Sequence, residues 1–185
     1  MINPSKGRSA VFVDRDGTLI HEVDHLANVS DLSLFSFTQQ AIGLLRGAGY
    51  LIVVVTNQSG IGRGYFTEPD MHEIHAEISA KLDKKIDGFY FCPHRPDEGC
   101  NCRKPRLGMV EAACRDHQID IASSWMIGDK RLDVETGQNA GMRTVLVLTG
   151  YGAGDVGTLT QPPNIIAENL LDAARQIVAA TQLVV

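Results

Sequence analysis

The sequence lacks any long uninterrupted apolar segment. No run approaches the roughly 20 apolar residues that a membrane-spanning helix requires. Residues 1–10 contain charges but no long apolar stretch after them. We therefore expect no signal peptide, no membrane contact and a cytoplasmic location.

An excess of basic charge is also absent. The 17 Lys and Arg residues are outnumbered by 22 Asp and Glu residues, which gives a net charge of -5. Because non-specific nucleic-acid binding depends on neutralising many phosphates, this balance argues against a nucleic-acid partner. It permits a small anionic substrate, since a few basic side chains in one pocket would suffice.

Internal repeats, low-complexity tracts and linker-like segments are absent as well. With 185 residues, of which 44% are hydrophobic and 21% charged, the chain has the size and composition of one globular domain. We expect a single domain over residues 1–185, present as a monomer.

Short apolar runs alternate with helical patterns along the chain. Strands are predicted over residues 10–13, 51–55, 88–91, 125–128, 144–148 and 165–166. Helices are predicted over 38–48, 67–86, 109–117, 132–140 and 170–180. Continuous apolar runs suit strands buried on both faces, so the alternation indicates an α/β fold with a doubly wound parallel sheet. Ligands of such sheets bind beyond the carboxyl ends of the strands.

Two carboxylates follow the first predicted strand, in the segment Asp14-Arg15-Asp16-Gly17-Thr18. Asp14 can act as a nucleophile that forms an aspartyl-phosphate, and Asp16 can act as general acid and then general base. The alternative is a polar turn with a capping Asp, because short Asp-x-Asp triplets are common by chance.

Asp129 ends another predicted strand and suggests a metal site. Magnesium prefers carboxylate oxygens, so Asp14, Asp16 and Asp129 are the predicted Mg²⁺ ligands. Asp133 follows four residues later. It either supports the metal site from behind or is an acid in the first turn of a helix, which interacts favourably with the helix dipole.

The segment Thr56-Asn57-Gln58-Ser59-Gly60 follows the most apolar strand, and its hydroxyl and N–H groups can hold phosphate oxygens. An ordinary polar turn is the alternative. Lys104 supplies a cation, which phosphoryl transfer needs around the phosphate oxygens.

Cysteines are few, and three of the four lie close together. Cys92, Cys100 and Cys102, with His94, form a complete tetrahedral ligand set for Zn²⁺ within eleven residues. Because no coordination position remains open, we expect this zinc to be structural. His72 and His75 are predicted to lie on a solvated helix face rather than at a metal.

Together these residues resemble the motifs of the haloacid dehalogenase (HAD) superfamily of phosphatases. Asp14 to Thr18 is similar to the first motif, Thr56 to the second, Lys104 to the third, and Gly128-Asp129 to the fourth. The resemblance implies a Rossmann-like HAD fold and a magnesium-dependent phosphatase.

A narrower resemblance is to the family of D-glycero-D-manno-heptose 1,7-bisphosphate 7-phosphatases. It is carried by residues 56–64 and by the cysteine-rich loop 92–102 with Arg103-Lys104-Pro105. It implies hydrolysis of the sugar 7-phosphate in the synthesis of the ADP-heptose precursor of lipopolysaccharide. It also implies a fold without a large cap domain, with Mg²⁺ for catalysis and Zn²⁺ in the loop.

The same resemblance assigns residue roles. Asp14 is the nucleophile and Asp16 the acid/base, while Thr56 and Lys104 steady the phosphoryl group and Arg103 recognises the substrate. The further substrate contacts that it implies are Glu22, His25, Asn57, Gln58, Ser59, Arg63 and Lys130. The family's usual Gly-Tyr is replaced here by Asp24-His25.

Two alternatives remain open. Histidinol-phosphate phosphatase is a close relative with a similar zinc loop, but residues 59–64 favour the heptose enzyme. Phosphorylated receiver domains also use Asp, Mg²⁺, Thr and Lys, but they lack the zinc loop and place the phosphorylated Asp after a different strand.

Overall fold

Six parallel strands form a single sheet in the computed structural model, which describes residues 7–182. The strands are β1 (Ala10–Val13), β2 (Leu51–Asn57), β3 (Gly88–Cys92), β4 (Trp125–Gly128), β5 (Arg143–Val147) and β6 (Ile165–Ala167). Their order is β3-β2-β1-β4-β5-β6, which is that of a doubly wound sheet. The predicted fold class is confirmed. The expectations for residues 1–6 and 183–185 lie outside the described range.

Seven α-helices are present in the described range: α1 (Thr38–Gly47), α2 (Ser59–Gly62), α3 (Glu68–Lys81), α4 (Gly108–His117), α5 (Arg131–Ala140), α6 (Gly152–Asp155) and α7 (Leu170–Gln182). All five predicted helices are confirmed. The helix predicted over 67–86 is too long, because Asp83 and Lys84 adopt positive φ angles of 54° and 55°. The four-residue helices α2 and α6 had not been predicted.

The core lies on both faces of the sheet. In β1, Val11 and Val13 belong to the apolar cluster that includes α1, α3 and α7, while Ala10 and Phe12 belong to the cluster that includes α4. Alternate side chains of a strand point to opposite faces, so a strand covered on both sides must be apolar throughout. This burial explains the continuous apolar runs in the sequence.

The connections on the functional side of the sheet differ in length, and the longest are residues 14–37 after β1 and 93–107 after β3. Between the strands of residues 7–182, no separate cap domain is inserted. None of the helices in this range combines the length and the apolar character needed to cross a bilayer. The carboxyl ends of the parallel strands meet at one edge, where the loops after β1, β2, β3, β4 and β5 converge.

Candidate active site

A cleft of about 250 Å³ lies at this edge of the sheet. Its walls include every side chain predicted for catalysis or substrate contact except Arg63. Arg63 is exposed and follows α2, outside the cleft lining. The cleft is therefore the place where the predicted chemistry can occur.

Lys104 lies at the base of the cleft, where it joins two carboxylates. Its buried ammonium lies 2.8 Å from Asp14 Oδ1 and 2.6 Å from Asp133 Oδ1, and it donates to the Val55 carbonyl at 2.9 Å. Burial lowers the pKa of Lys104, but the carboxylates of Asp133 and Asp14 outweigh it and the net shift is upward. Lys104 is therefore a fixed cation beside the predicted nucleophile.

The Asn57 side chain holds the backbone of Lys104. Its Oδ1 accepts from the Lys104 N–H at 3.0 Å, and its Nδ2 donates to the Lys104 carbonyl at 3.3 Å. Asn57 ends β2, so this pair of hydrogen bonds ties the lysine loop to the sheet.

Asp16 is held by a forked ion pair with Arg15. Nε and Nη2 of Arg15 donate to the two carboxylate oxygens at 3.0 and 2.9 Å, and Gln58 Nε2 donates at 2.8 Å. Burial raises the pKa of Asp16, but Arg15 and Gln58 outweigh it and the net shift is downward. No role was predicted for Arg15, although its place between the two predicted catalytic carboxylates was a usable signal.

Asp14, Asp129 and Asp133 form a compact group of carboxylates. One oxygen of each lies within 4.8 Å of the others, and all three residues are buried. Burial, with Asp14 and Asp133 adding to it, raises the pKa of Asp129 to about 8. Asp129 Oδ2 accepts from the Tyr151 N–H at 2.9 Å, whereas Oδ1 has no hydrogen-bond partner among the described residues.

These carboxylates fit a divalent cation. Buried carboxylates without compensating charge are costly, and Mg²⁺ takes oxygen ligands of this kind. The predicted ligand Asp16 lies beside this group, with its carboxylate paired with Arg15 and Gln58. Asp133 had not been predicted as a ligand, and its two oxygens accept from Lys104 and from the Lys130 N–H.

Asp133 also has the second role considered for it, that of an acid in the first turn of a helix. Its Oδ2 accepts from the Lys130 N–H at 3.0 Å, at the start of α5, while Oδ1 faces Lys104. One side chain therefore caps a helix and fixes the cation of the site.

Gly17 permits the close approach of two loops. It has φ +77°, and a Cβ at this position would overlap the Asp129 carboxylate. Only glycine satisfies both requirements, so the turn after Asp16 can lie directly against Asp129.

The four predicted zinc ligands gather in one cluster after β3. Their ligand atoms lie within 4.8 Å of one another, with His94 Nδ1 3.2 Å from Cys102 Sγ and Cys92 Sγ 3.5 Å from Cys100 Sγ. Three sulfurs and one imidazole at these separations suit tetrahedral Zn²⁺. Arg103, next in the chain, donates to the His94 carbonyl at 3.3 Å, so the loop also places this arginine at the cleft.

The prediction for His75 was wrong. His72 is exposed, but His75 is buried and stacks on Phe89 with a centroid distance of 4.5 Å. Burial lowers the pKa of His75 to about 3, and the Arg15 guanidinium contributes to the shift. The helical spacing placed His75 beside Met71 and Ile78, which are buried too.

Comparison with known proteins agrees with this site. A sequence profile of the HAD-hydrolase-like family matches residues 101–173. The D-glycero-beta-D-manno-heptose-1,7-bisphosphate 7-phosphatase of Haemophilus ducreyi is 41% identical over 155 residues, covering 78% of this chain and 85% of that protein. The D-glycero-D-manno-heptose-1,7-bisphosphate 7-phosphatase of Thermosynechococcus vestitus is 37% identical over 188 residues, covering 92% and 95%. The chain belongs to the heptose bisphosphate phosphatase family of the HAD superfamily.

A solved structure of the same family supports the assignment. The crystal structure of D,D-heptose 1,7-bisphosphate phosphatase from B. bronchiseptica, complexed with magnesium and phosphate, superposes with a TM-score of 0.86 at 30% identity. The match covers 93% of this chain and 99% of that one. As a member of the heptose bisphosphate phosphatase family, the chain is a HAD phosphatase, and HAD phosphatases generally use Mg²⁺.

Proposed function

We propose that this enzyme hydrolyses the 7-phosphate of D-glycero-D-manno-heptose 1,7-bisphosphate, a step towards the ADP-heptose precursor of lipopolysaccharide. The observation that carries the proposal is the pairing of Asp14 with Lys104 at 2.8 Å, at the base of a cleft lined by further cations. The names of the relatives supply the substrate. We also propose that the chain acts as a single-domain monomer in the cytoplasm.

The first half of the reaction transfers the phosphoryl group to Asp14. A carboxylate oxygen of Asp14 attacks phosphorus, the bond from phosphorus to the sugar oxygen breaks, and Asp16 protonates the leaving oxygen. The lowered pKa of Asp16 favours its ionised form. The negative charge of a phosphate arriving beside it favours the protonated form that this half requires.

The second half returns Asp14 to its free state. Ionised Asp16 takes a proton from water, the water oxygen attacks phosphorus, and the bond from phosphorus to Asp14 breaks to release inorganic phosphate. Lys104 stays positive throughout and stabilises charge on the phosphoryl oxygens, with the Thr56 hydroxyl as a further donor. Gln58 and Ser59 are proposed as neighbouring phosphate contacts.

Asp14, Asp16 and Asp129 are the proposed holders of Mg²⁺, and Asp133 lies beside Asp14 and Asp129. When bound, the ion offsets the repulsion between the Asp14 carboxylate and the incoming phosphate. The proposed Zn²⁺ in the loop of Cys92, His94, Cys100 and Cys102 has a structural role, because its four ligands leave no open position.

Substrate recognition is proposed for the rim of the cleft. Arg103, Lys130, Glu22 and His25 line it, and the two cations suit the second phosphate of a bisphosphate. Arg63, which also entered the sequence prediction, is exposed and stands outside the lining. We therefore assign the second phosphate to Arg103 and Lys130.

Phosphate release with Mg²⁺ present tests the proposal. We expect a higher kcat/KM for D-glycero-D-manno-heptose 1,7-bisphosphate than for histidinol phosphate, with the sugar 1-phosphate as the product. Asp14→Asn, which removes the nucleophile but keeps the side-chain volume, is the inactive control. Preference for histidinol phosphate would replace the proposed substrate with that of the related enzyme.

A further inference from the structure

The turn after β5 is attached directly to the catalytic loops. Thr149 Oγ1 donates to the Gly17 carbonyl at 2.6 Å, and the Tyr151 N–H donates to Asp129 Oδ2 at 2.9 Å. Between them, Gly150 has φ +55°, and a Cβ there would overlap the Asp129 carboxylate. The backbone of Tyr151 therefore has a fixed position relative to the site.

The ring of Tyr151 forms part of the cleft wall. It is 54% exposed, and Lys130 Nζ lies 4.5 Å from the ring centroid. This separation is within the roughly 6 Å over which an ammonium is attracted to an aromatic face. Tyr151 was not among the site residues predicted from the sequence, and it has no other assigned role.

Lys130 is held from a second side by Glu22. Its Nζ lies 3.3 Å from Glu22 Oε2, on the loop that follows β1. The ammonium thus lies between two walls of the cleft, one from the β1 loop and one from the turn after β5. Both walls are part of the cleft lining.

A lysine side chain held in this way is preorganised for substrate binding. A free lysine side chain samples many rotamers, and fixing it when a ligand binds costs conformational entropy. Tyr151 and Glu22 restrict that freedom beforehand, which lowers the cost of substrate binding. Because Lys130 lies at the rim and the reacting group is Asp14 at the base, this effect concerns binding rather than chemistry.

We propose that Tyr151 is a positioning residue for substrate recognition. It holds the Lys130 ammonium against its ring, so that the ammonium meets the part of the substrate remote from the reacting phosphate. The inference rests on the proposed function, in which Lys130 contacts the sugar bisphosphate.

Steady-state kinetics with D-glycero-D-manno-heptose 1,7-bisphosphate test the inference. Tyr151→Leu keeps the backbone N–H to Asp129 but removes the aromatic ring, and we expect KM to rise about fivefold with little change in kcat. Tyr151→Phe keeps the ring and is expected to restore the wild-type KM. In Lys130→Met, which raises KM by itself, adding Tyr151→Leu should cause no further rise.

An NMR measurement reports the contact without substrate. The Lys130 Cε protons should be shifted upfield by the ring in the wild type and in Tyr151→Phe, and the shift should disappear in Tyr151→Leu. Absence of the shift in the wild type, a wild-type KM in Tyr151→Leu, or additive effects of the two substitutions would each overturn the inference. A wild-type enzyme that does not hydrolyse the bisphosphate would instead overturn the proposed function.

Discussion

The buried carboxylate of Asp129 lowers the stability of the folded protein when no metal is bound. Its carboxylate is fully buried, and Asp14 and Asp133 add to the burial that raises its pKa to about 8. A folded protein keeps such a group only when something else compensates it, and a bound cation does so. Lys104 compensates Asp14 and Asp133, so the proposed metal matters most for Asp129.

Asp129→Asn should separate these two effects. Asparagine keeps an oxygen for the Tyr151 N–H and is neutral without taking up a proton, whereas the buried Asp129 carboxyl must bind one to lose its charge. We therefore expect the metal-free variant to be more stable by about 1 kcal/mol. The rise in Tm that Mg²⁺ gives the wild type should be lost. Thermal unfolding with and without Mg²⁺ measures both quantities. The exposed Asp31→Asn is the matched control, and an Asp129→Asn variant less stable than the metal-free wild type would count against this explanation.

His75 predicts a pH dependence of stability. Its folded pKa of about 3 lies below its unfolded value of 6.5, so the unfolded chain takes up the proton first as pH falls. Through this one group, the free energy of unfolding should fall by about 2 kcal/mol between pH 7 and pH 5. The contribution of His75 should be present in full above its unfolded pKa of 6.5 and be lost as the pH falls.

Urea unfolding of the wild type, His75→Leu and His72→Gln at pH 7 and at pH 5 checks this expectation. His75→Leu removes the titrating group, so its stability should fall less between pH 7 and pH 5 than that of the wild type. His72 is exposed on the same helix, and its replacement should keep the full wild-type slope. An equal slope in all three proteins would show that folding leaves the pKa of His75 unchanged, which would contradict this explanation.

Individual side chains at the strand ends were predictable because position alone brings them together. Asp14 and Asp129 follow parallel strands and Thr56 lies near the end of another, and the carboxyl ends of these strands share an edge. The contact of Asp133 with Lys104 was not predictable, since it joins the start of α5 to a distant loop. The contact of Tyr151 with Lys130 joins two loops and left no local pattern.

Among the elements, apolar periodicity and helix signals defined the regular structure. Thr67 caps α3 together with Asp70, and Gly49 follows α1 with φ +90°. The short helices α2 and α6 were missed because each has four residues, two of them glycine, and no apolar period can be read over that length.

The proposed zinc site in the loop after β3 leads to a prediction about zinc content and activity. In Cys100→Ser the protein should lose zinc and about 10- to 100-fold of its activity, because the loop places Arg103 and Lys104 at the cleft. Cys114→Ser lies outside the cluster and should keep both zinc and activity. Metal analysis beside phosphate release measures the two effects. Full activity in a zinc-free Cys100→Ser protein would remove the link between the loop and the cleft.

At the scale of the whole molecule, the order of the strands explains how a chain of this length brings the site residues together. With β1 between β2 and β4, the loop that bears Asp14 lies between those that bear Thr56 and Asp129. The alternation of strands and helices predicted the fold class, and the motifs gave the superfamily. The order of the strands follows from packing between distant segments, which a single sequence does not display.

The covalent intermediate on Asp14 is the most direct test of the whole mechanism. In Asp16→Asn both the acid of the first half and the base of the second half are missing. An aryl phosphate such as p-nitrophenyl phosphate has a leaving group that needs no proton, so it can still phosphorylate Asp14. Phosphorylated Asp14 should therefore accumulate after mixing the variant with Mg²⁺ and this ester. Borohydride reduces an acyl phosphate to an alcohol, which converts the trapped residue to homoserine. Peptide mass spectrometry should then find homoserine at position 14. Homoserine at another aspartate, or none at position 14, would contradict the assignment of Asp14 as the nucleophile.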